Sequence, residues 1–179
     1  GLDRSDVRHD TTITNPMNAD FLVTPFPDVE LDRTGAYAEW EGPVSSYEVY
    51  AGLRIDAHEA DAGTPTLGAA LPMGPRMLAM AFSKADRSWD DVTVDGLLRL
   101  ARPVSETVTL RGALARKSRV GGQVERYGWL PITASGGLAD GNTYVGDLHL
   151  EPETADSIEA GFDWRGDSVY VRPTVFYRR

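Results

Sequence analysis

Tyr47-Glu48-Val49-Tyr50-Ala51-Gly52-Leu53-Arg54-Ile55-Asp56-Ala57-His58 alternates without a break. Tyr47, Val49, Ala51, Leu53, Ile55 and Ala57 fall on one face of an extended chain. Glu48, Tyr50, Gly52, Arg54, Asp56 and His58 fall on the other. Period two marks a strand, because successive side chains of an extended backbone point to opposite faces. The stretch is about twice the usual soluble strand and near the ~9–11 residues that a tilted membrane strand needs.

The same period recurs outward from it. Thr34, Ala36, Ala38 and Trp40 oppose Gly35, Tyr37, Glu39 and Glu41. Val92, Val94, Gly96, Leu98 and Leu100 oppose Thr93, Asp95, Leu97, Arg99 and Ala101. Val108–Ala115, Ile158–Arg165 and Val169–Arg178 repeat the pattern. About six strands follow, each with a large polar face. Their connections alternate in length. Gly42-Pro43-Val44-Ser45-Ser46 and Arg102-Pro103-Val104-Ser105-Glu106 are near-copies of one short turn, and Gly166-Asp167 is a tighter one. Residues 1–32, 59–86 and 117–155 are long stretches rich in Gly, Pro, Asp and Asn, and read as loops.

The chain has 179 residues, a length for one domain or a piece of a larger one. It has no cysteine, which excludes disulfide scaffolds, cysteine zinc sites and cysteine nucleophiles. Its net charge of −9 argues against nucleic acid as a partner. The longest apolar pieces, such as Met77-Leu78-Ala79-Met80-Ala81-Phe82, fall far short of a membrane helix. Gly1-Leu2-Asp3-Arg4 carries no signal-peptide features, and Val175–Arg179 ends in mid-pattern, so a fragment is expected.

Two architectures fit this pattern. In a soluble or surface-exposed β module the apolar face packs on a second sheet. In an outer-membrane barrel it meets lipid and the polar face lines the lumen, with short turns at one end and long loops at the other. Small residues on the apolar face (Ala36, Ala51, Gly96, Gly112, Ala160) and aromatics near strand ends (Trp40, Tyr47, Trp164, Tyr177) suit the barrel. The fold expected is therefore all-β, antiparallel and up-and-down, part of a transmembrane barrel with short periplasmic turns and long extracellular loops.

Specific segments carry a family resemblance. Leu110–Arg119 with Gln123-Val124-Glu125-Arg126-Tyr127 looks like a barrel strand ending in a basic segment, then a Glu-x-Tyr element. Gly141-Asn142 through Leu150-Glu151-Pro152-Glu153-Thr154, followed by Ser157-Ile158-Glu159-Ala160-Gly161-Phe162, looks like a "GN…L-x-PE-T/S" segment and an "E-x-G" strand. Gly35–Trp40 and Tyr50–Asp56 match two further strands. Together these resemble the barrel of TonB-dependent outer-membrane receptors over about 33–179. One departure is Arg119-Val120-Gly121, which lacks the Pro that usually follows the basic pair.

The resemblance implies a partial receptor barrel over 1–179, with the plug domain and the barrel C-terminus absent. It implies TonB-dependent uptake of a scarce solute, such as an iron-siderophore or another metal complex. The implied partners are outer-membrane lipid, the receptor's own plug, and the TonB complex through that plug, with no cofactor. A soluble β-module and a plug-less porin stand as alternatives.

Among polar-face residues, His58 with Arg54 and Asp56 is the leading ligand-binding candidate, set against a charged wall with ions paired across strands. Arg119, Arg126, Tyr127, Trp129 and Tyr144 join cations to aromatics, a combination that clasps anionic ring-bearing ligands. The competing role for Tyr127 and Trp129 is anchorage at the lipid headgroups. Met73, Met77 and Met80, with Met17 and His9 elsewhere, are soft donors of the kind copper takes, or else loop packing. No phosphate loop, Gly-x-Ser-x-Gly or His-Glu-x-x-His occurs, and no enzyme is expected.

Overall fold

A computed structural model describes residues 2–13, 21–130 and 145–179. The strands are β1 (Leu2–Ile13), β2 (Phe21–Val44), β3 (Tyr47–Ala62), β4 (Trp89–Pro103), β5 (Val108–Arg119), β6 (Glu153–Arg165), β7 (Tyr170–Val171) and β8 (Thr174–Arg178). Among the described residues two helices lie between them, α1 (Met73–Lys84) and α2 (Gln123–Tyr127). From β1 to β6 each strand pairs antiparallel with the next in sequence, and β7 and β8 both pair with β6. The result is one up-and-down sheet that does not close on itself.

Register puts the apolar residues of neighbouring strands side by side. Ala36, Ile55 and Val94 form one row across β2, β3 and β4, and Trp40, Ala51, Leu98 and Leu114 form another that reaches β5. The row Leu114, Ile158 and Tyr177 extends to β8. This face is bare: Leu53 is 51% exposed, Leu114 50% and Ile158 52%. A sandwich requires a second sheet there, and none lies on it among the described residues. No described helix is long and apolar enough to cross a membrane.

The expectation of six strands and three long loops is corrected at each of those loops and at the last strand. Residues 2–13 and 21–32 are not loop, because β1 and the first part of β2 occupy them and pair antiparallel. Residues 59–86 contain the end of β3 and all of α1, and 117–155 contain the end of β5, α2 and the start of β6. Val169–Arg178 is not one strand: Pro173, which has no N–H for the ladder, separates β7 from β8. The two look-alike turns also differ. Ser45-Ser46 is a two-residue hairpin with Ser45 at φ 56°, the positive φ that primed turns use. Val104–Thr107 is a four-residue loop in which the Ser105 hydroxyl accepts from the N–H groups of Thr107 and Val108.

Above Ala57 the strands keep their period but exchange faces. On β3 the face that carries Leu53, Ile55 and Ala57 continues as Glu59 and Asp61, while the face of Arg54, Asp56 and His58 continues as Ala60 and Ala62. Pairing sets Asp32, Glu59 and Asp90 in one row outside, and Leu31, Ala60 and Trp89 in one row inside. The inner side of these extensions holds the buried core: Val23, Val29, Ala60 and Ala62 pack with Ala79 and Phe82 of α1 and with Tyr127, Trp129 and Leu130. The hydrophobic core is thus a loop core at one end of the sheet, set directly above the polar wall.

Candidate functional site

Where the polar wall meets the loop core, a cavity of about 400 Å³ opens among Arg33, Asp56, His58, Trp89, Thr93, Arg119 and Arg126. Asp56 is buried in its wall, 2% exposed, as is Arg126. The Asp56 Oδ2 accepts from Arg33 Nη2 at 2.9 Å and from Arg54 Nε at 2.6 Å, and its Oδ1 accepts from Arg54 Nη2 at 2.7 Å. A carboxylate held this way contributes chiefly by satisfying two cations in a recess, since each guanidinium keeps partial contact with solvent. Gly35 stands opposite Asp56 in the register, and a Cβ there would fall 1.9 Å from Asp56 Oδ1. The glycine is what admits the carboxylate.

His58 lies one step further up the same face. Its Nε2 is 3.0 Å from the Thr93 hydroxyl, and its ring packs 6.3 Å from Trp89 at 40°. It therefore bonds Thr93 rather than Asp56. Arg33 Nε is buried with no hydrogen-bond partner among the described residues, a donor at the cavity wall.

Arg119 spans two carboxylates. It donates to both Glu153 oxygens at 3.0 and 3.1 Å and to both Glu125 oxygens at 2.8 and 3.0 Å. Glu125 also accepts from the Gly122 N–H at 2.8 Å, closing the first turn of α2. The guanidinium holds both carboxyls below the ordinary carboxylate range, and they hold Arg119 above its own. Arg126 is buried, donates to the carbonyl oxygens of Leu148 and Leu150, and lies 4.0 Å over the Trp89 ring. Burial pushes it down from its ordinary value.

Tyr127 and Trp129 are inside the loop core, 1% and 3% exposed, neither at its surface nor at a headgroup level. Trp129 donates its indole N–H to the Thr24 carbonyl at 2.8 Å and packs 6.5 Å from Phe82. Burial pushes the Tyr127 hydroxyl up to about 12. Met73, Met77 and Met80 lie on the exposed side of α1, and His9 falls in β1. Met17 and Tyr144 lie outside the described residues. Thus Asp56, His58, Arg119 and Arg126 converge on one cavity, with Arg54 bonded to it from below. Arg33, Trp89 and Thr93, not singled out from the sequence as site residues, complete it.

Lower on the same face lies a second concavity of about 510 Å³ that includes Glu48, Tyr50, Arg99, Arg111, Glu159 and Arg172. Two of its cations meet one carboxylate beside it: Arg111 reaches Asp163 at 2.6 Å and Arg172 reaches it at 3.2 Å. Arg99 stacks 4.6 Å over Tyr50, whose hydroxyl donates to Glu39 at 2.9 Å.

A bare apolar band on one side and a paired-charge wall on the other is what lipid and an aqueous lumen each require. A match to the family described as "TonB dependent receptor-like, beta-barrel" runs over residues 1–179. The chain belongs to that family. TonB-dependent receptor barrels are an outer-membrane protein class. Among solved structures the chain is similar to the copper transporter OprC, with a TM-score of 0.58 and 16% sequence identity. The match covers 99% of this chain and 30% of that one, so the chain spans about 30% of that transporter's length. At this identity the likeness shows the barrel fold. No curated protein matches the chain.

Proposed function

We propose that this chain forms wall and outer mouth of an outer-membrane receptor that takes up a scarce solute, such as an iron-siderophore or another metal complex, by TonB-dependent transport. The observation that carries the reading is the exchange of faces above Ala57. Below it the sheet is built for lipid outside and water inside. Above it the strands stand clear of lipid and fold their loops inward over a charged cavity. Asp56 with Arg33 and Arg54, His58 with Thr93, and Arg119 with its two carboxylates give that mouth fixed polar groups for a charged or chelating ligand. In this reading the plug, the segment that touches TonB and the barrel's C-terminal end lie outside residues 1–179.

The name of OprC adds copper to the ligand classes worth testing. The test is uptake of labelled iron-siderophores and copper by cells carrying the complete receptor, with and without TonB. Uptake that requires both receptor and TonB supports the proposal. Passage that ignores TonB makes the protein a porin and ends it.

A further inference from the structure

Three of the chain's four methionines, Met73, Met77 and Met80, fall within one helix. They stand at i, i+4 and i+7, so they share a face, and side chains three or four apart have Cβ atoms ~5–6 Å from each other. They are 72, 64 and 55% exposed, whereas the opposite side of α1 seats Ala79 and Phe82 in the loop core. Methionine is unbranched, with a polarisable thioether at the end of three rotatable bonds, so neighbouring sulfurs on a helix can turn toward one point above its axis.

Two nearby cations are turned away from this face, while Lys84, exposed at the end of α1 and four residues after Met80, stands on it. Arg76 donates Nε to the Leu71 carbonyl at 3.0 Å and a terminal nitrogen to Ala69 at 2.7 Å. Arg87 is spent on the helix C-terminus, donating to the carbonyls of Ser83 at 2.7 Å and Ala85 at 3.0 Å. A net charge of −9 further draws cations to the molecule. Thioethers are poor ligands for hard ions and select soft ones, Cu(I) above all among the biological metals.

We infer that the Met73–Met77–Met80 face of α1 is a capture site for Cu(I), bound by thioether sulfur as cargo at the outer mouth. The purpose of the site rests on the uptake reading above, but its existence is a matter of binding and is measured apart from transport. The three sulfurs would hold the ion with no change in its oxidation state.

The experiment uses the complete receptor, purified in detergent, with Ag(I) as a redox-inert probe and Cu(I) presented through a competing chelator. The variant M73L/M77L/M80L keeps the apolar volume and helix preference while removing every sulfur of the face. The expected result is loss of one Ag(I) equivalent, or an affinity about tenfold or more weaker, with unchanged strand content and melting. Equal stoichiometry and affinity in both proteins would overturn the inference. Peroxide footprinting is the second readout. The three methionines should oxidise readily in the metal-free receptor and be protected by Ag(I). Protection without metal would show another segment of the receptor covering the face, and would also overturn it. Loss of TonB dependence in whole cells would sink the uptake reading alone and leave the binding result standing.

Discussion

The indole N–H of Trp129 donates to the carbonyl oxygen of Thr24 at 2.8 Å, joining residues 105 apart in sequence. That bond and the Trp129–Phe82 ring contact tie the segment after α2 to both β2 and α1. The loops over the cavity are therefore one packed unit. Trp129→Ala removes the ring and the donor together, and should cost about 3–5 kcal/mol of local stability, as large-to-small core changes do. Trp129→Phe keeps most of the packing and loses one hydrogen bond, about 1 kcal/mol. Limited proteolysis of the complete receptor measures both. The alanine variant should be cut in 59–86 and 117–155 first, and equal resistance of all three proteins would refute the loop-core account.

Gly35 and Asp56 depend on each other in the same way. A methyl group at 35 would occupy the space of Asp56 Oδ1, so Gly35→Ala should displace the carboxylate and loosen Arg33 and Arg54. The expected cost is about 1–3 kcal/mol, the scale of hydrogen bonds to charged groups. In an Asp56→Ala background the same change should cost little, because the contact is already gone. Thermal unfolding of the four receptors in detergent closes this cycle. Additive losses would show that the two residues do not share a contact.

The bearing of β3, β4 and β5 was legible because the register of Tyr47–His58 repeats in Asp91–Arg102 and Val108–Ala115, and pairing confirms those faces row by row. Arg54, Asp56 and His58 were legible for the same reason, as polar residues on one parity. The strands' upper ends were not. From Glu59 to Ala62 the period persists while its phase reverses, and a search for one continuous apolar face stops there. Arg33 and Trp89 sit at that reversal, and so escaped notice. β1 escaped because Leu2-Asp3-Arg4-Ser5-Asp6 shows no apolar face at all; pairing to β2 places it. The resemblance assigned the family from other segments, Gly35–Trp40, Tyr50–Asp56, Leu110–Tyr127 and Gly141–Phe162. Tyr127 and Trp129 read as surface aromatics because nothing local announces the loop core that buries both, or the Thr24 carbonyl and Phe82 ring that meet Trp129.

The Arg119 cluster sets a pH response for α2. Both Glu125 and Glu153 have folded values below their unfolded ones. Their contribution is therefore fully present above the unfolded carboxylate range, about pH 4–5, and is lost as pH falls through the lowered folded values. Amide exchange at Arg126 and Gly128, which donate to Gly122 and Val124, reports the opening of this turn. Corrected for intrinsic rates, protection should be flat from neutrality to about pH 5 and fall below that. In Arg119→Ala the fall should shrink to what the Gly122 N–H bond to Glu125 alone supports, with protection lower throughout. A fall of undiminished size in the variant would assign the acid response to other groups.

Lipid and a packed core answer differently to added volume, which makes the bare face testable by substitution. Ala51 lies between Trp40 and Leu98, and Ala160 between Gly112 and Val175, with nothing above either row among the described residues. Ala51→Leu and Ala160→Leu should leave the complete receptor's folding into liposomes unchanged, whereas overpacking a protein core typically costs ~1–3 kcal/mol. Leu53→Arg should cost about 2–4 kcal/mol if its row lies near the bilayer midplane, and Thr34→Arg, toward the acidic extensions, about 0–1 kcal/mol. Folding yield by gel mobility of unboiled samples, with urea unfolding for the energies, measures all four. A strained Ala51→Leu protein that tolerates Leu53→Arg would mean that this face packs on protein, and the lipid assignment of the whole sheet would fall with it.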